Sequence, residues 1–197
     1  MSRNDEESKV YEELTRCEAV HGLRMMARRT DRVGGQRIVR RTDLEPAVPD
    51  LVSYSVLAAN DRAERVRVAA LYALADTRDP LAVSELRRRV DDPSEQVRLY
   101  AACFLTESQD ASGLPEMRKA LDRLCRTDPA KDFRFYGDVE MLLASMERIT
   151  GKGFGPMPTN PVLSSVTTQA EASSKRYQAL VKAWAQWWDW QPTDLDG

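Results

Sequence analysis

The chain has 197 residues, of which 42% are hydrophobic and 30% are charged, and its formal net charge at pH 7 is −2. This composition is ordinary for a globular protein and too apolar for an intrinsically disordered one. The small net charge creates no global field that would commit the protein to nucleic acid or to a membrane surface.

Three features of the sequence favour a cytoplasmic protein. No segment reaches the roughly 18 consecutive apolar residues that a membrane-spanning helix needs. Residues 1–7 are polar and acidic, unlike the start of a signal peptide. The cysteines Cys17, Cys103 and Cys125 are odd in number and form no CxxC pair, as expected in a reducing compartment. The chain contains one histidine, His21, so it offers little material for a histidine-based catalytic or metal site.

Residues 1–30 are predicted to form an N-terminal capping helix. Its apolar positions are spaced as on one helical face: Val10, Leu14, Cys17, His21 and Met25. Residues 16–41 carry a net charge of +6 (eight Arg against Glu18 and Asp31). This charge makes Arg28, Arg29, Arg40 and Arg41 candidate partner-binding residues. An acidic protein partner or a solvated surface is favoured over nucleic acid, because no aromatic residues interleave with these arginines and the isoelectric point is about 5.6.

Residues 31–150 are predicted to contain helical repeats, with the clearest units at 61–90 and 92–123. At an offset of 31 residues the same residue types return in both halves of the unit. Aligned pairs include Asp61 with Asp92, Glu64 with Glu95, Val66 with Val97, Arg67 with Arg98, Glu85 with Glu116, Arg87 with Arg118 and Arg88 with Lys119. A repeat of this length is the sequence signature of a solenoid.

Each unit is predicted to be a pair of helices. The first helix carries a stripe at i, i+3, i+4, i+7 and i+8: Val66, Ala69, Ala70, Ala73 and Leu74. Asp79 is placed to cap the second helix and Pro80 to occupy its first position. The second helix has the shorter stripe Val83, Leu86 and Val90, which directs Glu85 and Arg88 away from the core.

The C-terminal part of the chain is predicted to close the solenoid. Residues 151–169 are a connection rich in Pro, Gly, Ser and Thr, and Gly151 suits a left-handed helix end. Residues 170–197 are predicted to form a capping helix and tail. Trp184, Trp187 and Trp188 would share its packed face, and a ligand cage or partner groove is the alternative use of these rings.

The segment DRAERVRVAALYALADTRDPLAVSELRRRVDDPSEQVRLYAACFL, Asp61–Leu105, resembles HEAT repeats of the short kind found in phycobilin-lyase-like proteins of bacteria. The resemblance implies an all-α fold, a right-handed α–α superhelix of the HEAT-like (armadillo-type) class with capping helices at both ends. It also implies that the second helices line the concave surface.

Two sets of basic residues therefore need interpretation. Arg67 and Arg98 could form an anion-binding ladder, but pairing with an inter-repeat Asp or with a helix-end carbonyl is favoured, because unpaired buried charge is costly. Arg87, Arg88, Arg118 and Lys119 lie on the second helices and are candidate partner-binding residues. A merely solvated face is the alternative.

The sequence thus predicts a non-catalytic protein–protein interaction module, with no cofactor, metal or catalytic residues and with a protein partner of acidic surface. A HEAT-like immunity protein that neutralises a bacterial toxin is one alternative. A nucleic-acid-binding protein related to alkylpurine DNA glycosylases is another, and the resemblance to phycobilin lyases keeps an enzymatic role open.

Overall fold

The computed structural model describes residues 3–29, 47–77, 79–158 and 167–190, and all regular structure within them is helical. The α-helices are α1 (Arg3–Arg29), α2 (Ala47–Ala58), α3 (Glu64–Thr77), α4 (Pro80–Arg89), α5 (Glu95–Leu105), α6 (Leu114–Arg126), α7 (Phe135–Thr150) and α8 (Thr167–Trp190). Short 3₁₀ helices occupy Thr106–Ser108 and Ala111–Gly113. Within each of the two compact units of the chain the helices pack against one another, as in a HEAT-like α-solenoid, so the predicted all-α class is confirmed.

The chain divides into two compact units, Met1–Asp110 and Ala111–Gly197. In the first unit α3 is the central helix, since it packs against α1, α2, α4 and α5. Four of the five predicted stripe positions on α3 are buried: Val66, Ala70, Ala73 and Leu74. Small side chains at two of these positions allow the neighbouring helices to approach closely.

The junctions of the first unit follow the capping rules. The Asp79 side chain accepts a hydrogen bond from the Leu81 N–H at 2.8 Å, and Pro80 begins α4. At the start of α5 the Ser94 hydroxyl accepts from the Val97 N–H at 3.3 Å. These side chains satisfy donors that the first helical turn leaves without a partner.

In the second unit α6, α7 and α8 pack together around a core that includes Met117, Leu121, Leu142 and Met146. Gly151 ends α7 with φ +68°, the left-handed conformation predicted for it, and donates its N–H to the Glu147 carbonyl at 2.8 Å. The sharp helix end therefore depends on a residue without a side chain.

The packed face of each terminal helix differs from the sequence prediction. On α1, Val10 and Leu14 are 54% and 46% exposed and His21 is exposed, whereas Val20 is buried. The predicted apolar stripe of α1 was therefore wrong, because its contacts with α3 and the α2–α3 turn include ion pairs.

On α8 the buried face is Tyr177, Val181 and Trp184, while Trp187 and Trp188 are partly exposed. Of the three tryptophans predicted to share the packed face, Trp184 is confirmed as buried, whereas Trp187 and Trp188 are not fully buried. Trp184 packs edge-to-face against Phe154 at 5.0 Å between ring centroids, so α8 covers the turn that follows α7.

Candidate partner-binding surface

The two repeat units begin with the same polar turn. The Asp61 carboxylate accepts from the Ala63 N–H at 2.8 Å, and the Asp92 carboxylate accepts from the Ser94 N–H at 2.9 Å. An aspartate that binds the backbone two residues ahead fixes the turn that leads into a helix. The repeated aspartate is therefore first a structural residue.

Arg67 joins the two repeats through the second of these aspartates. Its Nε and Nη2 donate to the two carboxylate oxygens of Asp92 at 3.0 and 2.9 Å, and its Nη1 donates to the carbonyls of Asp61 and Arg62. Arg98 repeats the carbonyl contacts one unit later, to Asp92 and Pro93 at 2.9 and 3.2 Å. The structural interpretation of the two arginines is thus confirmed in preference to an anion-binding ladder.

The first repeat aspartate, Asp61, forms an ion pair with an arginine of α1. Arg16 Nε lies 2.8 Å from Asp61 Oδ2, so Arg16 serves Asp61 as Arg67 serves Asp92. Sequence reasoning missed this residue, because Arg16 lies outside the repeat pattern. The repeated aspartate could have pointed to it, since the Asp92–Arg67 pair predicts that Asp61 pairs with an arginine two helices earlier in the chain.

The second helix α4 places Glu85 on its buried face, which corrects the prediction that Glu85 points away from the core. Glu85 is 7% exposed and shares that face with Ala82, Leu86 and Arg89. Arg89 Nε donates to Glu85 at 2.7 Å, and this ion pair offsets the cost of burying the carboxylate.

The candidate residue Arg88 also binds Glu85, through Nε and Nη2 at 2.9 and 2.8 Å. Its Nη2 donates in addition to Asn60 Oδ1 at 2.9 Å, in the turn between α2 and α3. The hydrogen bond to Glu85 raises the pKa of the Arg88 guanidinium. Arg88 remains 58% exposed but holds α4 against the preceding turn, so it contributes to stability whether or not it binds a partner.

The candidate residue Arg87 is 60% exposed and lies in the first unit beside Asp110, with Nε and Oδ2 2.6 Å apart. This places its charge next to a carboxylate of its own unit. An acidic partner would therefore meet a guanidinium whose long-range field is already reduced.

The candidates in the second unit are paired in the same way. Lys119 is 74% exposed and lies 3.1 Å from Glu116, which is the repeat of the Arg88–Glu85 pair. Arg118 is one-quarter exposed and pairs with Asp122 at 3.2 Å and with Asp189 of α8. Arg118 is therefore less accessible than the other three.

The structure describes only some of the candidate partner-binding residues near the N-terminus. Arg28 and Arg29 lie near the end of α1, where the structure describes the backbone alone, and Arg40 and Arg41 fall outside the described residues. Arg24, another member of the predicted arginine cluster, pairs with Asp76 at 2.7 Å and lies 4.6 Å above the Tyr72 ring. At least this arginine is used to hold α1 on α3.

The described residues contain no group of three or more His, Cys, Asp or Glu side chains placed to hold a metal ion. In the same part of the chain no helix is long and apolar enough to cross a membrane.

A family model described as HEAT repeats matches residues 54–135, a stretch that includes all of α3, α4, α5 and α6. No curated protein and no solved structure matches the chain. The match contains the whole segment Asp61–Leu105 whose residues carry the resemblance, and it leaves the phycobilin-lyase-like and bacterial subtype as predictions. Residues 54–135 are thus similar to HEAT repeats.

Proposed function

We propose that the protein is a non-catalytic protein–protein interaction module. The observation that carries this proposal is the HEAT-repeat match over residues 54–135, together with helix pairs that bury their apolar faces in one another. HEAT repeats commonly mediate protein–protein interaction, and stacked helix pairs offer an extended surface for it. A cytoplasmic location completes the proposal, supported by the free thiols of the three cysteines.

The pairing of buried carboxylates supports a role without catalysis. A catalytic carboxylate must be available to a substrate, whereas these carboxylates are each held by a cation of the same unit. The pairs and their distances are Glu85–Arg89 at 2.7 Å, Asp92–Arg67 at 2.9 Å, Glu116–Lys119 at 3.1 Å and Asp138–Arg123 at 2.9 Å.

The proposed contacts with an acidic partner are made by Arg87 and Arg88 in the first unit and by Arg118 and Lys119 in the second. Because each already has a carboxylate neighbour, we expect short-range hydrogen bonds to the partner more than long-range attraction. Binding should therefore weaken only moderately as salt rises.

The test is affinity purification of the tagged protein from its native cells, with partners identified by mass spectrometry. A variant with Arg87→Gln and Lys119→Gln removes two exposed charges and spares Arg88, which is needed for packing. The matched control, Lys175→Gln with Arg176→Gln, removes two exposed charges from α8. We expect a reproducible protein partner whose affinity falls in the first variant and is retained in the control.

Equal affinity of both variants would remove these residues from the binding face. Absence of any reproducible protein partner would contradict the proposed function. Tight binding of random duplex DNA at physiological salt, with no protein partner, would favour the nucleic-acid alternative.

A further inference from the structure

A cleft of about 390 Å³ lies between α1 and α3 in the first unit, and its lining includes none of Arg87, Arg88, Arg118 and Lys119. Its floor is apolar and consists of Val68, Ala69 and Tyr72. Together with Arg65, these positions follow the i, i+3, i+4 and i+7 spacing of a single face of α3. The opposite wall is supplied by α1. The volume is near the lower end of the roughly 300–1,000 Å³ typical of binding pockets.

The basic groups that line this cleft differ in availability. Arg24 is not available to a ligand, because its guanidinium pairs with Asp76 and lies over the Tyr72 ring. Arg65 is exposed, and within the described ranges its side chain makes no ion pair and no hydrogen bond. This contrasts with Arg87 and Arg88, each of which has a carboxylate within 3 Å. Arg65 thus presents a free guanidinium at the edge of an apolar floor.

The wall from α1 limits which ligand fits. Glu18 and His21 line it, and neither side chain has a hydrogen bond or ion pair within the part of the chain that the structure describes. Glu18 repels any carboxylate near it, so the cleft suits a ligand whose single acidic group lies beside Arg65 on the α3 side, next to an apolar group. His21 offers a further hydrogen bond to a polar atom of the ligand.

We propose that this cleft is a docking site for a partner protein segment that presents an apolar side chain beside a single carboxylate. The apolar side chain packs on Val68, Ala69 and Tyr72, and the carboxylate pairs with Arg65. The inference rests on the proposed protein-binding function, which it makes specific. A buried apolar anchor flanked by a charge-assisted hydrogen bond is the usual composition of a small interface hot spot.

The rate at which the cysteines are alkylated reports whether this cleft is occupied. Cys17 lines the cleft, whereas Cys125 lies in the second unit, and both thiols are partly accessible. Burial raises the pKa of both thiols, so they are labelled at alkaline pH, where the thiolate is more abundant. A ligand in the cleft slows alkylation of Cys17 and leaves Cys125 as the internal control.

The probe is a random-peptide library displayed on phage and selected on the full-length protein. We expect selected peptides to share an apolar residue adjacent to one Asp or Glu, and synthetic copies to slow Cys17 alkylation selectively. Arg65→Gln should weaken these peptides by about tenfold or more, the usual effect of losing a hydrogen bond to a charged group. Ala69→Trp, which fills the floor, should abolish binding.

The matched control is Arg62→Gln. Arg62 is 72% exposed and pairs with Glu12 at 3.5 Å, so the variant removes a nearby arginine charge that does not line the cleft. It should bind the peptides as the wild type does. Far-ultraviolet circular dichroism of each variant establishes that it is folded, and Arg65→Gln keeps the test valid if Ala69→Trp does not fold.

Different experimental results would contradict the cleft proposal and the general interaction function. Three outcomes would overturn the cleft as this docking site. The selection enriches no peptides, or it enriches peptides without the expected pattern, or Arg65→Gln binds the peptides as tightly as the wild type does. A cellular protein partner bound equally by wild type and both cleft variants would do the same and leave the interaction function standing. Protection of Cys17 by small metabolites alone would overturn the cleft as a peptide-docking site, whereas the interaction function is overturned only if affinity purification also yields no reproducible protein partner.

Discussion

Replacing Arg67 with alanine tests the ion pair that joins the two repeats. The guanidinium makes two hydrogen bonds to the carboxylate of Asp92, whose side chain is 1% exposed, and two more to main-chain carbonyls. Arg67→Ala therefore leaves a buried carboxylate and two carbonyl groups without their main donor.

The expected loss follows from what remains around Asp92. Removing one partner of a buried ion pair typically costs about 3–5 kcal/mol. Asp92 retains the Ser94 N–H at 2.9 Å and Arg89 Nη1 at 3.3 Å, which places the loss near the lower end, about 3 kcal/mol. Since small domains are stable by about 5–15 kcal/mol, this would be a large fraction of the total.

Equilibrium urea unfolding, followed by circular dichroism, measures the loss. The companion variants are Asp92→Ala and the double variant, which together give the coupling energy, and Arg62→Ala, an exposed arginine expected to cost less than about 1 kcal/mol. A loss at Arg67 no larger than at Arg62, or a coupling energy near zero, would refute the view that this pair joins the repeats.

Three further predictions concern the second unit. Burial raises the pKa of Asp138, although the hydrogen bond from Arg123 acts in the opposite direction. Because the folded pKa is the higher one, the contribution of Asp138 to the free energy of unfolding is full below the unfolded pKa of about 3.9. It is lost as the pH rises through the folded pKa. Asp138→Asn should flatten that part of the urea-stability profile between acid and neutral pH. Trp184→Ala should cost about 3–5 kcal/mol in urea unfolding, since Trp184 is 2% exposed. Gly151→Ala should cost about 1–2 kcal/mol and lower the melting temperature, because φ is +68° there; an unchanged value would contradict a left-handed helix end.

The sequence predicted those parts of the fold that depend on neighbours along the chain. Asp79 and Pro80 begin α4, and Gly151 ends α7, because caps and left-handed residues act within one helical turn. The stripe on α3 was found because one face of a helix repeats every 3.6 residues.

The features that were predicted wrongly or missed depend on how charged side chains pair in the folded chain. Glu85 was placed on the outer face because Val83, Leu86 and Val90 were predicted to form the packed stripe, yet α4 buries Glu85 with Leu86 and pairs it with Arg89. The basic charges of α4 and α6 were identified, but sequence spacing alone could not show that Asp110 neutralises Arg87.

The packing of α1 depends on the same distant pairing. An apolar stripe was expected on this helix, but Arg16 binds Asp61 at the start of the first repeat, as Arg67 binds Asp92 at the start of the second. In both cases the aspartate that fixes the turn pairs with an arginine two helices earlier in the chain. Helix α1 therefore supplies the cation for Asp61, which an apolar stripe alone would not provide. This accounts for the exposure of Val10 and Leu14, since the face of α1 that meets the repeats is the one that carries Arg16.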